Sequence, residues 1–435
     1  MAGIQRSEIS ARNSAGKSVR KCLLRCFAFS LISASMGAQA SNSADGLRLS
    51  GFGTLGYAAD DRADIAAARD ISQLPRNEFA TGDTWRIDSR LGVQLEYGVN
   101  DNIDLVGQVV ARDQFVDSFD HSVELAYLAI KPRANLDIRL GRVNYDAFLM
   151  SDHRNVGYAY SPVRPPTEFY GWIPIFSFDG GDAAYAIQSG DVRWRIKAQA
   201  GSSDIALPIG AGYDFKAKDL LGLSLAMQSE RWRLKAAYSQ FTSAVEVPAF
   251  APLHQGLDQI IAAGIPAISA EAADLRRNLT FKGAKVTYAT IGIVFDDGVW
   301  LGQAELGHTT ASAAAIPHGN MGYLMFGRRF SDLMPYAMLS KSKPGNDLRS
   351  ADNNWGGFNA VLRDPAILTI NDTRIEQSSV SLGARWDLHP QAAFKLQWDQ
   401  TTIKPSGYGL WWRVRAINLQ TTRVNLVSAT LDFVF

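Results

Sequence analysis

The strongest constraint on the fold of this 435-residue chain is a strict alternation of apolar and polar side chains. In residues 84–97, "TWRIDSRLGVQLEY", the apolar residues from Trp85 to Tyr97 share one parity and the charged residues share the other. Successive side chains of a strand point to opposite faces, whereas a helix of this sequence would carry arginine and leucine on every side. The stretch therefore predicts a long strand with one apolar face and one charged face.

The same alternation recurs along the chain, for example in "DVRWRIKAQAG" at 191–201 and "ERWRLKAAYSQ" at 230–240. It predicts sixteen strands, although eighteen is an open alternative. The predicted strands lie at 47–58, 84–98, 103–113, 121–132, 136–142, 179–189, 191–201, 219–228, 230–241, 280–295, 298–310, 321–331, 332–342, 375–387, 390–401 and 421–435.

The connections between these strands alternate between tight turns and long loops. Residues 99–102 and 189–191 are typical of the turns, and residues 143–178 and 242–279 are typical of the loops. An antiparallel up-and-down sheet collects its turns at one end and its loops at the other, as transmembrane barrels do. We therefore predict an all-β transmembrane barrel with short periplasmic turns, long external loops and both termini at the turn end.

The two faces of the strands predict which side of the barrel is wet. The charged face is too polar for a dry core, because burying unpaired charges costs several kcal/mol each. A water-filled lumen accommodates that face, lipid accommodates the apolar face, and closure of the barrel pairs every backbone group. Aromatic residues near the strand ends suit the two interfacial girdles. They are Trp85, Tyr97, Trp194, Trp232, Trp300, Tyr336 and Trp386.

The composition at the two ends of the chain separates a leader from one continuous domain. Residues 1–40 combine a basic stretch, an apolar stretch and a small-x-small site at Ala38-Gln39-Ala40, which predicts a cleavable signal peptide. Both cysteines, Cys22 and Cys26, lie within it, so residues 41–435 have neither a disulfide nor a thiolate metal site. The leader holds six Lys/Arg and one Glu, so the formal net charge of +1 leaves about −4 for residues 41–435, which argues against nucleic-acid binding.

These features together resemble a Gram-negative outer-membrane porin, as a divergent member of the sixteen-stranded, trimeric general-porin type. The resemblance rests on the leader, "LRLSGFGTLGYA" at 47–58, the strand pattern, and the terminal "SATLDFVF", in which Leu431, Phe433 and Phe435 share one face. It implies an outer-membrane channel for passive diffusion of small hydrophilic solutes or ions, probable homotrimer assembly, and a terminal Phe that the assembly machinery recognises. It also implies that the third external loop, residues 143–178, folds into the lumen and narrows it.

An inward-folded loop would place acidic side chains opposite basic residues of the wall. Such an arrangement creates a transverse field that orients polar solutes and sets ion preference. The excess of basic residues favours a mild preference for anions. The candidate pore-lining residues are Arg86, Arg90, Arg139, Arg142, Asp146, Asp152, Glu168, Arg193, Arg195, Lys197, Arg231, Arg233 and Lys235.

Three alternative functions and two structural details are open at this point. A substrate-specific channel would use the same barrel, whereas an outer-membrane hydrolase or an adhesin would need other features. No HExxH motif, phosphate-binding glycine loop or Ser/His/Asp signature accompanies the six histidines, so we predict no enzyme, metal or cofactor. Residues 257–277 predict two short helices divided at Pro266, in an external loop that could also plug the lumen or dock a partner. Gly51 and Gly53 predict either close subunit packing or a bend.

Overall fold

The computed structural model describes residues 46–73, 82–116, 118–209, 212–413 and 420–435, and the predicted signal peptide lies outside them. Sixteen long strands form one closed antiparallel sheet in this part of the chain, which confirms the predicted fold class. The first eight are β1 Leu47–Asp60, β2 Arg90–Asn100, β3 Ile103–Arg112, β4 Val123–Arg133, β5 Leu136–Asn144, β6 Ser177–Ser189, β7 Val192–Leu207 and β8 Tyr213–Gln228. The others are β9 Trp232–Ser243, β10 Lys285–Asp296, β11 Trp300–Ala311, β12 Gly319–Arg328, β13 Leu333–Pro344, β14 Ile375–His389, β15 Ala392–Tyr408 and β16 Thr422–Val434.

Each strand pairs with its neighbours in the sequence, and β1 also pairs with β16 to close the barrel. Turns and loops are sorted to opposite ends, which we call the turn end and the loop end. The connection left between the predicted strands 191–201 and 219–228 is wrong, because β7 and β8 extend into it, to Leu207 and from Tyr213. Their inward Ile205 and Phe215 are buried, and this apolar packing extends the hairpin.

The outer surface of the barrel is apolar, as the alternation predicted. Five leucine side chains that point outward are each about half exposed or more, namely those of Leu49, Leu95, Leu223, Leu306 and Leu382. Polar side chains of the opposite parity, such as Ser428 and Asp432 on β16, are buried in the interior. An exposed apolar band around a polar interior is the amphipathicity that a lipid bilayer requires of a barrel.

The predicted aromatic girdle is present at the turn end, with one exception. Trp194, Trp232 and Trp386 are exposed there, each within a few residues of a turn. Tyr336 is buried and donates a hydrogen bond to Gln397, so its assignment to the girdle was wrong. Its side chain follows the inward parity of β13, whose two faces are both apolar from Leu333 to Leu339.

The N-terminal part of the predicted second strand is also different. Residues 85–89 form a turn, and β2 begins only at Arg90. The side chain of Asp88 is buried in an ion pair with Arg164, which draws this segment into the lumen. The regular parity of 84–97 therefore holds only from Arg90 onward.

The seam between β1 and β16 explains the two outward glycines. A Cβ atom on Gly53 would lie 2.2 Å from Cζ of Phe433, and one on Gly51 would lie 2.2 Å from Cζ of Phe435. The two phenylalanine rings thus lie flat over the glycines, and backbone hydrogen bonds join Gly51 and Phe435 in both directions. The glycines accommodate these aromatic rings, which is neither of the predicted explanations.

The long loops at the loop end carry helices. The predicted helical pair is confirmed as α1 Ala251–Ala262 and α2 Pro266–Asn278, and a further helix α3 spans Asp364–Asp372. Hydrogen bonds link α2 to the loop that carries α3, since Glu271 accepts from the backbone of Asp352 and from Trp355 Nε1. Burial alone would raise the pKa of Glu271, but these hydrogen bonds hold it below its ordinary value. None of the helices in the described residues is long and apolar enough to cross a membrane.

Candidate functional site: the lumen loop and the bore

The bore is occupied by residues 145–176, which we call the lumen loop. It connects β5 to β6 and is the third loop of the barrel, so the predicted inward fold is confirmed. Tyr145, Phe148, Val163, Phe169 and Ile173 are each at most 2% exposed. A segment with so many buried apolar residues packs as part of the interior and is not a surface loop.

The start of the lumen loop is fixed by an ion-pair cluster at Asp146. Its carboxylate contacts Lys235 of β9 and lies 3.1 Å from Nζ of Lys197 on β7. Ser224 donates a further hydrogen bond of 2.8 Å from β8. Three residues predicted to line the pore are therefore brought together, with one carboxylate between two ammonium groups.

This cluster leads to a stability prediction. Asp146→Asn would leave the buried Lys197 and the largely buried Lys235 without their partner, which costs about 3–5 kcal/mol for a buried pair. We expect a correspondingly lower free energy of unfolding in a denaturant titration of the refolded barrel. Asp104→Asn is the matched control, because its partner Lys131 is half exposed and such pairs contribute about 0–1 kcal/mol. Equal losses in the two variants would contradict the structural role of the cluster.

The middle of the lumen loop is fixed at Glu168, in the short helix Thr167–Tyr170. Its carboxylate accepts hydrogen bonds from Ser340 of β13 and from Gln377 and Ser379 of β14, the first two at 2.7 Å. The side chain is 3% exposed. Glu168 thus serves as a buried acceptor that ties the loop to the wall, and it does not face an open passage.

A second charged anchor ties the lumen loop to the last strands. Arg164 forms a bidentate ion pair with Asp88, with N–O distances of 3.1 and 2.6 Å, and it also contacts Asp399 and Ser428. Its side chain is 5% exposed, so these charges are strongly coupled in a low-dielectric interior.

Lys395 of β15 extends this anchor toward the seam. Its Nζ donates to the backbone oxygens of Gly157 and Pro162 and lies 3.1 Å from Asp432. Lys395 and Asp432 are both fully buried. The lumen loop is therefore bonded to strands on nearly every side of the bore.

Between the anchors, the loop packs against an apolar part of the wall. The inward side chains of β12 and β13 include Met321, Tyr323, Met325 and Met338, all buried. Phe169 lies edge-on to Tyr323 with 5.5 Å between ring centroids. The expectation that every inward face is polar is wrong here, because the aromatic loop supplies a dry counterface for these strands.

The remaining predicted residues have different partners and lie at different heights along the barrel axis. Arg90 is buried and donates to the backbone of Asn155 in the lumen loop, and Asp152 accepts from Asn144. Arg86 pairs with Asp113 at the loop end, outside β2. Arg139 pairs with Asp182 of the neighbouring strand at 2.9 Å.

Arg142 lies at the base of the lumen loop and borders a cavity at the loop end that is described below. It lies three residues after the inward Arg139, which is an odd spacing, and it shares the parity of the exposed Leu140. Its partners Asp179 and Asp120 are themselves exposed. Its assignment to the pore lining therefore stays a prediction.

The basic residues on and next to β7 and β9 lie at different heights along the barrel axis. Lys197 and Lys235 bind the lumen loop, whereas Arg193, Arg231 and Arg233 are exposed close to the turns. Nη2 of Arg195 lies 3.5 Å from Oδ2 of Asp137. We expect these arginines to line the vestibule at the turn end and not the narrowest point.

Two small cavities lie between the lumen loop and the wall, and both border β3 and β4, while the outer one extends as far as β8. One, of about 190 Å³, opens at the loop end and includes Arg112, His121 and Phe178 in its lining. The other, of about 40 Å³, lies deeper and includes Gln108, Asp152 and Arg154. Glu124 and Phe176 line both cavities.

Several residues that shape the bore were not predicted. Arg112, Glu124, Arg154, Arg164, Glu305 and Lys395 all make buried contacts with or within the lumen loop. The inward parity of Lys395 on a predicted strand was an available signal. Arg154 and Arg164 lie in an irregular segment, where alternation gives no direction. No group of three or more His, Cys, Asp or Glu in the described ranges could hold a metal ion.

A closed sixteen-stranded barrel with an inward-folded third loop is the architecture of the general porins. Among solved structures, the chain is similar to the one titled "Salmonella typhi OmpF complex with Daunomycin", with a TM-score of 0.50 and 13% identity over 90% of this chain and 98% of that chain. At this identity the likeness shows a shared fold, and it confirms the resemblance at that level.

Two further solved structures are similar at lower scores. The anion-selective porin from Comamonas acidovorans is 10% identical, with a TM-score of 0.48 over 89% of this chain and 99% of that chain. OmpT of Vibrio cholerae is 12% identical, with a TM-score of 0.47 over 91% of this chain and 100% of that chain. Neither a protein-family model nor a curated protein sequence matches the chain.

Proposed function

We propose that the protein is an outer-membrane channel through which small hydrophilic solutes and ions diffuse passively. The observation that carries this proposal is the combination of an apolar outer band with a charged interior in a closed barrel. Such a barrel offers a polar route through an apolar membrane. The proposal includes cleavage of residues 1–40, location in a Gram-negative outer membrane, assembly as a homotrimer and the absence of enzymatic activity.

The seating of the lumen loop favours a narrow channel over a wide one. The loop is bonded to β7, β9, β13, β14 and β15, and the cavities beside it are small, at about 190 and 40 Å³ on the side of β3 and β4 and about 30 Å³ beside β14 and β15. This arrangement supports a second candidate, a substrate-specific channel of the same architecture. The two candidates differ in conductance and in block by a solute.

Reconstitution in planar lipid bilayers tests both candidates. We expect discrete steps of small, ohmic conductance, because the seated loop leaves only a narrow path for ions. Saturable block by one class of solute would identify a substrate-specific channel, and its absence across sugars, organic acids and amino acids would support general diffusion. A folded, inserted barrel that conducts no ions would contradict the proposal. Reversal potential in a salt gradient measures the ion preference, which we expect to be a mild one for anions.

A further inference from the structure

The two cavities beside β3 and β4 are separated by one small cluster of side chains. Glu124 of β4 and Phe176 of the lumen loop line both cavities, and Arg112 of β3 lines the outer one. Arg112 donates from Nη1 to Glu124 Oε2 and to Asn155 Oδ1, each at 3.0 Å. The cluster therefore joins the wall to the lumen loop at the junction of the two cavities.

Aromatic stacking adds to the rigidity of this junction. The guanidinium carbons of Arg112 and Arg154 each lie 3.9 Å from the ring centroid of Phe176. Arg154 is buried and donates to the backbone oxygens of Ile173 and Tyr170. Two cations thus contact one ring, while Glu124 is the carboxylate that pairs with Arg112 at the junction.

We infer that the Arg112–Glu124 pair forms the constriction of the channel and determines its ion preference. This inference rests on the proposed channel function. It assigns the constriction to residues outside the predicted set, since Asp146 and Glu168 are held by ion pairs and hydrogen bonds to the wall. A solute that passes must displace or squeeze past this pair, so carboxylate or phosphate groups that can bind a guanidinium are the chemistry that it would admit.

The opposite charges of the pair give opposite expectations for its two neutral variants. Glu124→Gln removes the negative member and leaves Arg112 and Arg154 at the junction, so the reversal potential should shift toward anions. Arg112→Gln leaves Glu124 next to a single arginine and should shift it toward cations. We expect each anion-to-cation permeability ratio to change by about threefold, because charge at a constriction dominates selectivity.

Arg329→Gln is the matched control. Arg329 makes a comparable ion pair with Asp296, at 2.7 Å, but it lies at the turn end, between β12 and β13. Its reversal potential should equal that of the unmodified protein. Before any current is recorded, the folding of every variant is checked in a denaturing gel. An unheated, folded barrel migrates differently from the same protein after heating.

A cysteine at the junction gives a second measurement, in which the current of one variant is compared before and after its thiol is modified. The sequence contains only Cys22 and Cys26, both within the predicted signal peptide, so Glu124→Cys introduces a single thiol into residues 41–435. Reaction with a negatively charged methanethiosulfonate reagent should reduce the current of an open channel by at least about half, because it adds bulk and charge at the narrowest point.

The outcomes separate the inference from the proposed function. If the unmodified barrel conducts but neither neutral variant shifts the reversal potential, or if thiol modification leaves the current unchanged, the constriction lies elsewhere. If the unmodified barrel does not conduct at all, the channel function itself fails. Opposite shifts in the two variants, with no shift in Arg329→Gln, support the inference.

Discussion

Gly53→Leu is expected to prevent closure of the barrel. The Cβ atom of residue 53 would lie 2.2 Å from the ring of Phe433, so the leucine must displace that ring from the β1–β16 seam. Phe433 pairs directly with Gly53 across the seam, and the next residues in register complete the closure. We expect the refolded yield of heat-modifiable barrel to fall at least about tenfold, because an open edge strand in lipid leaves backbone groups unpaired.

The control for this prediction is Gly107→Leu. Gly107 is also in a strand, pairs with the outward Leu95, and has no atom within 4 Å of a Cβ built on it. This variant should fold with nearly the normal yield. A double variant, Gly53→Leu with Phe433→Ala, should recover part of the yield, since it restores space at the seam. Normal folding of Gly53→Leu alone would show that the packing of Phe433 is not needed for closure.

Arg164→Ala is expected to open the bore. The substitution removes the bonds from the lumen loop to Asp88, Asp399 and Ser428 and leaves two buried carboxylates without their cation. Their repulsion should loosen the segment around residue 164, since unpaired buried charges cost several kcal/mol. We expect single-channel conductance to rise several-fold, by about threefold or more, with a shift toward cations.

The measurement is again current through planar bilayers, made on protein that passes the gel test for a closed barrel. Arg276→Ala serves as the control, because Arg276 pairs with the exposed Asp258 on the external helices and does not touch the lumen loop. Its conductance should be unchanged. A folded Arg164→Ala barrel with normal conductance would mean that the loop is held in place without this anchor.

The barrel could be predicted from the sequence because its signal is periodic and repeated. Each strand places its lipid-facing side chains two residues apart, so the alternation around Leu95, Leu223 and Leu382 identified both the strands and their outer face. The sorting of turns and loops then gave the topology. Errors arose where tertiary contacts override the local pattern, as at Asp88, which leaves the strand to pair with Arg164.

The interior of the bore was predicted less well, for a physical reason. The chain of the lumen loop is irregular, so its side chains have no parity, and the partners of Arg164 and Glu168 lie far away in sequence. Composition suggested acidic residues of the loop opposite basic residues of the wall. The structure brings Asp146 into direct contact with Lys197 and Lys235, and this proximity could not be read from one sequence.

The anchors of the lumen loop also constrain how the molecule assembles. Arg164 bonds to Ser428 across 264 residues of chain, and Lys395 bonds back to Gly157 across 238 residues. Contacts between such distant segments form late, since the intervening chain must first be ordered. The lumen loop therefore makes these contacts only once β15 and β16 are in place. Packing of the interior and pairing of β1 with β16 thus become a single last step of folding.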